Sequence, residues 1–293
     1  MPALVTPLRS DGSFDVESCR RLVAHVLSGG VHGVLALGST GEVTSLDTAQ
    51  RRRVLEVVAE AVGGRVPVLA GIAQNSVVAA LAEAEAAASI GARAVLAVPP
   101  FYSPIDQATV LRFYRRLADL SPLPVLAYNI PAFTKVTVAP ATVARLAEDE
   151  AIIGVKDSSR DMEYLSQVLL EVGERPGFSV FTGMDTLLLP SLAVGAAGAI
   201  TLSANLVPSW AVRLYQSFQE GRWEEARLRQ QDQLRLVQAL RVGVFPSGIK
   251  AALAAAGICG EYTAEPVAPL SSPERERLIA TLRALGAIPT AAA

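Results

Sequence analysis

The sequence predicts an α/β fold: an eight-stranded (β/α)8 TIM barrel followed by a C-terminal helical extension. Three observations lead there. Short runs of Val, Leu, Ile and Ala recur, each followed by a longer stretch with helical periodicity. Eight such runs occur at spacings of about 20–34 residues, which suits parallel strands covered by helices and closed into a ring. The glycine fingerprint GxGxxG, common after the first strand of an open doubly wound sheet, is absent.

Taken in order, strands are expected at 3–6, 33–37, 66–71, 94–98, 125–129, 152–156, 178–181 and 198–202. Each is a continuous apolar run, as a strand buried on both faces requires. The amphipathic stretches between them, at 16–27, 49–61, 77–89, 107–120 and 162–172, carry the helical period. The eighth strand ends near residue 202, so residues 1–222 are assigned to the barrel with its closing helix. Residues 223–293 form the extension, with helices at 223–241, 247–256 and 273–285.

Composition narrows the function classes. Hydrophobic residues make up 51% of the 293 and aromatics only 5%, so the core is built from Ala, Val and Leu. A formal net charge of -2 gives no electrostatic reason to expect nucleic acid or anionic membrane as a partner. Cys19 and Cys259 lie far apart and belong to no CxxC or His/Cys cluster, which argues against a disulfide framework or a metal site and suits a reducing cytoplasm. The opening residues lack the basic-then-apolar order of a signal peptide. The apolar tract at 187–202 is interrupted by Pro190, Gly195 and Gly198, so it reads as buried helix and strand, not as a membrane span.

Lysine is scarce: of 26 basic residues, only those at 135, 156 and 250 are lysine. Lys156 closes an apolar run and belongs at the C-terminal mouth of the sixth strand, the face where barrel enzymes place their chemistry. A primary amine forms an imine and a guanidinium does not, and a low-dielectric setting favours the neutral, nucleophilic amine. The competing reading is a lysine that caps the strand or pairs with Asp157. Tyr128 ends the preceding strand, where a phenol could relay protons to an imine; alternatively its hydroxyl only anchors the next loop. The segment Gly38-Ser39-Thr40-Gly41-Glu42 offers backbone N–H groups and two hydroxyls, a cradle for a carboxylate. It is not a P-loop, and a capped strand-to-helix turn is its plain alternative.

With these segments in view, the chain resembles the dihydrodipicolinate synthase/N-acetylneuraminate lyase superfamily of pyruvate-dependent aldolases. The marks are VTP at 5–7, GSTGE at 38–42, PPFY at 99–102, YNIP at 128–131, GVKDS at 154–158, TGMD at 182–185 and AITLSAN at 199–205. Their order and spacing span nearly the whole chain. The resemblance implies a barrel with a helical extension, a homotetramer, and no metal or organic cofactor, the covalent lysine imine serving instead. Lys156 would be the Schiff-base lysine and Tyr128 the proton relay. Gly38, Ser39 and Thr40 would take the pyruvyl carboxylate. Tyr102 matches a tyrosine that reaches into a neighbouring subunit's site, and the backbone of Ile200 would line the lysine pocket.

The aldehyde half is less constrained. The synthases of this group carry an arginine five residues after the YNIP tyrosine, where it binds a substrate carboxylate; here that position is Phe133. Loss of such a guanidinium costs about 1.5–3 kcal/mol of binding. Sialic acid lyases carry a glutamate after GxD, where this chain has Thr186. A neutral pocket with Thr134, Asp185, Thr186 and Ser203 nearby suits a polyhydroxylated aldehyde, so cleavage of a 2-keto-3-deoxy sugar acid to pyruvate and an aldehyde is the expected activity. The alternatives are 4-hydroxy-tetrahydrodipicolinate synthase, joining pyruvate to aspartate semialdehyde, and a Schiff-base dehydratase. A barrel that only binds a 2-oxo acid is the non-enzymatic reading. His25 and His32, the aromatic residues Trp210, Tyr215 and Phe218, and the run Arg51–Arg52–Arg53 are expected to be structural or solvent-facing. Lys250 falls in the extension, and Lys135 follows a loop, so neither is the expected nucleophile.

Overall fold

The computed structural model describes residues 1–289. In chain order its helices and strands are α1 (Val16–Ser28), β1 (Val34–Ala36), α2 (Thr48–Val62), β2 (Val68–Ile72), α3 (Val77–Ile90), β3 (Ala94–Ala97), α4 (Gln107–Leu120) and β4 (Val125–Asn129). Then come α5 (Pro131–Thr134), α6 (Pro140–Leu146), β5 (Ile152–Asp157), α7 (Met162–Val172), β6 (Ser179–Thr182), α8 (Leu188–Ala193) and β7 (Gly198–Ala199). Four helices finish the chain: α9 (Pro208–Gln219), α10 (Trp223–Leu240), α11 (Ser247–Ala255) and α12 (Ser272–Ala284). Chemistry at the helix starts explains the boundaries. Asp15, Asp47, Ser76, Asp106 and Asp161 each accept a hydrogen bond from a first-turn N–H, satisfying donors the helix leaves open. Proline begins α5, α6 and α9, where its missing N–H costs nothing.

The chain forms two compact units, Pro67–Ile200 and a second one made of Met1–Val66 with the segment from Thr201 onward. In the first of these, β2 to β7 run parallel in sequence order. The strands β2 to β4 are buried along their whole length, as a sheet covered on both faces demands. Gly154 lets β5 approach β6, since a Cβ there would meet the backbone of Ser179. The register sets Tyr128 opposite Lys156 and Asn129 opposite Asp157, after a shift between Val125 and Leu126.

In the other unit the expected first strand does not form a ladder. Pairing is limited to single bridges from Pro2 to Thr201 and from Ala3 to Leu35. The side chain of Asn205 takes the place of a strand partner: its Nδ2 donates to the Ala3 carbonyl at 2.7 Å, and its Oδ1 accepts from Val5 N at 3.1 Å. Pro7 then ends the segment without a donor. The expected last strand is likewise short, covering Gly198–Ala199 with one further bridge at Thr201, because a 3-10 turn follows at Ser203–Asn205. The three helices expected at the C-terminal end form within a residue of the expected bounds. No described helix is long and apolar enough to cross a membrane.

Candidate active site

Lys156 is the fifth residue of β5 and only 4% exposed. Alternation along the strand sends its side chain and that of Asp157 to opposite faces. Asp157 is held by Asn129 Nδ2 at 2.7 Å, by Ser159 N at 3.1 Å and by Ser159 Oγ at 2.9 Å. Burial raises its carboxyl above the usual carboxylate range, and the hydrogen bonds from Asn129 and Ser159 oppose that rise. A pairing of Lys156 with Asp157 therefore does not form. Lys156 Nζ instead stands over the ring of Tyr128, 4.4 Å from its centroid, as their register predicts.

Tyr128 is held from both ends. Its N–H donates to the hydroxyl of Tyr114 at 3.3 Å, and that hydroxyl donates in turn to the Ala97 carbonyl at 2.9 Å. The phenol oxygen of Tyr128 accepts from Ser158 Oγ at 3.3 Å. Gly183 makes room for this group: a Cβ there would lie 2.8 Å from Lys156 Cε and 3.2 Å from the Asp157 carbonyl oxygen. The Gly183 N–H donates to that carbonyl at 2.6 Å. Ser158 and Gly183 were not singled out from the sequence. Ser158 stands two residues beyond Lys156, so the strand period alone could have placed both on one face.

The other expected residues fall as follows. Ile200 is fully buried and donates its N–H to Thr182 at 2.9 Å. Asp185 is buried and Thr186 half-buried at the turn after β6. Phe133 lies in the short α5 and is 55% exposed. Thr134, expected as a free pocket hydroxyl, is consumed by its own loop: it is buried, lies 3.1 Å from the Ile130 carbonyl and 3.0 Å from the Val136 carbonyl, and accepts from Val136 N at 3.3 Å. Tyr102 is 88% exposed, on a loop pinned where Asn75 Oδ1 accepts from Phe101 N and Tyr102 N at 2.8 and 2.9 Å.

Gly38, Ser39 and Thr40 belong to the other unit, where Ser39–Gly41 form a single 3-10 turn. Ser203, in the same unit, donates its hydroxyl to Gln233 at 2.8 Å and so is not a spare pocket hydroxyl. His25 Nε2 donates to the Leu206 carbonyl at 2.9 Å, and His32 packs edge-on against Tyr215. Among the described residues no cluster of His, Cys, Asp and Glu assembles a metal site. Lys135 is exposed and donates to the Ala132 carbonyl at 2.8 Å.

The Dihydrodipicolinate synthetase family model matches residues 1–285. Over 286 residues the chain is 37% identical to the 4-hydroxy-tetrahydrodipicolinate synthase of Pelobacter propionicus, covering 98% of each. An uncharacterized DapA-like lyase from Halobacterium salinarum is 39% identical over 286 residues, 98% of this chain and 93% of that protein. The crystal structure of YagE, a prophage protein of the dihydrodipicolinic acid synthase family from E. coli K12 in complex with pyruvate, aligns with a TM-score of 0.94 at 30% identity, covering 97% of each chain. These matches define a class I carbon–carbon lyase, of a kind that joins pyruvate to a lysine as a Schiff base and needs no external cofactor. The chain belongs to the dihydrodipicolinate synthetase family.

Proposed function

We propose that Lys156 forms an imine with the ketone of pyruvate and that the chain carries out aldol chemistry through it. The observation that carries this reading is a buried primary amine set 4.4 Å from the Tyr128 ring centroid, making no ion pair among the described residues. Nζ attacks the ketone carbon to give a carbinolamine, which loses water to an iminium. The iminium draws electrons from C3, so a proton can leave there to give an enamine that attacks an aldehyde. In the reverse sense the C3–C4 bond breaks to the same enamine. Tyr128 moves the protons, and the Ser158 hydroxyl orients the phenol. Gly38, Ser39 and Thr40 hold the carboxylate, Ile200 lines the lysine pocket, and Tyr102 completes a neighbouring subunit's site in a homotetramer. The same proposal includes a barrel over residues 1–222, in which the N-terminal segment contributes single bridges in place of an eighth strand, and a helical extension over 223–293.

For the second substrate, the relatives' names favour aspartate semialdehyde, as in 4-hydroxy-tetrahydrodipicolinate synthase. Cleavage of a 2-keto-3-deoxy sugar acid, the expectation from sequence, becomes the second reading. One observation favours it: Phe133 stands where a carboxylate-binding arginine is expected. Borohydride reduction in the presence of pyruvate, followed by peptide mass spectrometry, tests the first step. A pyruvyl adduct on Lys156 is expected; an adduct on Lys135 or Lys250, or none, overturns the reading. Comparing kcat/KM for pyruvate with aspartate semialdehyde against pyruvate with glyceraldehyde then separates the two substrates.

A further inference from the structure

A second buried lysine lies in the unit that holds the 38–42 turn, and the reaction does not use it. Lys250 occupies the first turn of α11 and is 0% exposed. Both features disfavour its charge, because burial strips water from the ammonium and a helix N-terminus repels a cation. Burial pushes its pKa down, and the adjacent carboxylate of Glu42 pushes it back up. Lys250 Nζ pairs with Glu42 Oε2 and donates to the Tyr262 carbonyl at 2.7 Å. Glu42 Oε1 accepts from Ala264 N at 2.7 Å. One carboxylate thus ties the end of the GSTGE segment to α11 and to the chain that follows it.

The backbone of that segment needs such a tie. Two residues other than glycine bracket it in the left-handed region, Leu37 at φ 59° and Glu42 at φ 57°. Such conformations persist where the surroundings impose them, and they gather at ligand clamps. Inside the turn, Thr6 Oγ1 donates to the Gly41 carbonyl at 2.7 Å, and a Cβ on Gly41 would lie 3.1 Å from the Leu4 carbonyl oxygen. The turn is therefore pressed against the N-terminal segment on one side and held by the ion pair on the other.

We infer that the Glu42–Lys250 ion pair is a positioning device, holding the 38–42 turn in the shape that presents Ser39 and Thr40 to the carboxylate of the 2-oxo acid. This rests on the proposal above that those hydroxyls bind that carboxylate. Glu42 and Lys250 act through the turn and touch no reacting atom.

The test uses the full chain and pyruvate as the probe. The double variant Glu42→Gln with Lys250→Met removes both charges while keeping an acceptor for Ala264 N. After a thermal melt establishes that it folds, borohydride trapping on Lys156 is followed over a range of pyruvate concentrations. The half-saturating pyruvate concentration is expected to rise about tenfold to a hundredfold, with the trapping rate at saturation nearly retained. A folded double variant with unchanged half-saturation overturns the inference and leaves the pair a purely structural contact. Should the double variant fail to fold, Glu42→Asp keeps both charges and shortens the reach by one methylene. A smaller rise in half-saturation is expected of it, and no rise overturns the inference. Ser39→Ala with Thr40→Val separates the premise: if that variant leaves half-saturation unchanged, the carboxylate reading fails and the inference fails with it. If it raises half-saturation while the pair variants do not, only the inference fails.

Discussion

Each of the two compact units buries one lysine, and the two lysines are buried differently. Lys250 faces a carboxylate and a carbonyl, so its ammonium is compensated and its nitrogen is occupied. Lys156 faces the ring of a tyrosine that is itself fixed by two hydrogen bonds, and it makes no ion pair among the described residues. Burial alone therefore does not mark a nucleophile. On the proposed reading, what separates the two is whether the neighbours occupy the nitrogen, as at Lys250, or set only a ring beside it, as at Lys156.

The comparison can be broken most sharply at Lys156. Replacement by arginine keeps a long basic side chain and removes the primary amine that can form an imine, so turnover is expected to fall about 10⁴-fold or more with the fold retained. Steady-state rates beside a thermal melt check this, and retained turnover would make the two lysines equivalent. Lys250→Met alone should act in the opposite register. It strands the Glu42 carboxylate in the interior and is expected to cost ~3–5 kcal/mol of stability by urea unfolding. Lys156 in that variant should still be trapped by borohydride at saturating pyruvate. Tyr128→Phe keeps the ring beside Lys156 and deletes the hydroxyl. A loss of about a hundredfold in kcat is expected, without the stability change seen at Lys250.

The smallest effect concerns the thiols of the unit that holds Lys250. Burial pushes Cys19 up to about 12 and Cys259 up to about 11, with the charge of Lys250 holding Cys259 down in part. Only the thiolate is alkylated, so both should react slowly with iodoacetamide at pH 8 and quickly once urea unfolds the chain. Fast native labelling of Cys259, read by mass spectrometry, would mean that the surroundings of Lys250 are more open than the ion pair implies.

Much of this was legible from residue order. The helices 107–120 and 162–172 form with the bounds that their periodicity predicts, and the strand 125–129 does too. Segments governed by side chains from elsewhere were not legible. Residues 3–6 have the composition of a strand, yet Asn205, remote in sequence, supplies the partner atoms that a neighbouring strand would have given. Thr134 reads as a free pocket hydroxyl until its loop is closed around it. Ser158 was within reach of a period-two argument, whereas the space kept for Lys156 by Gly183 depended on how β5 meets the turn after β6.

By itself the sequence determined the chemistry on offer: three lysines among 26 basic residues, one of them at the end of an apolar strand, and a chain of short motifs in family order. Hydrophobic period and residue type are local properties, so they survive without a structure. The tertiary structure alone decided the partners. It turned Asp157 away and joined Glu42 to Lys250 across most of the chain. Contacts of that kind depend on which segments become neighbours in folding, and a linear pattern does not encode them.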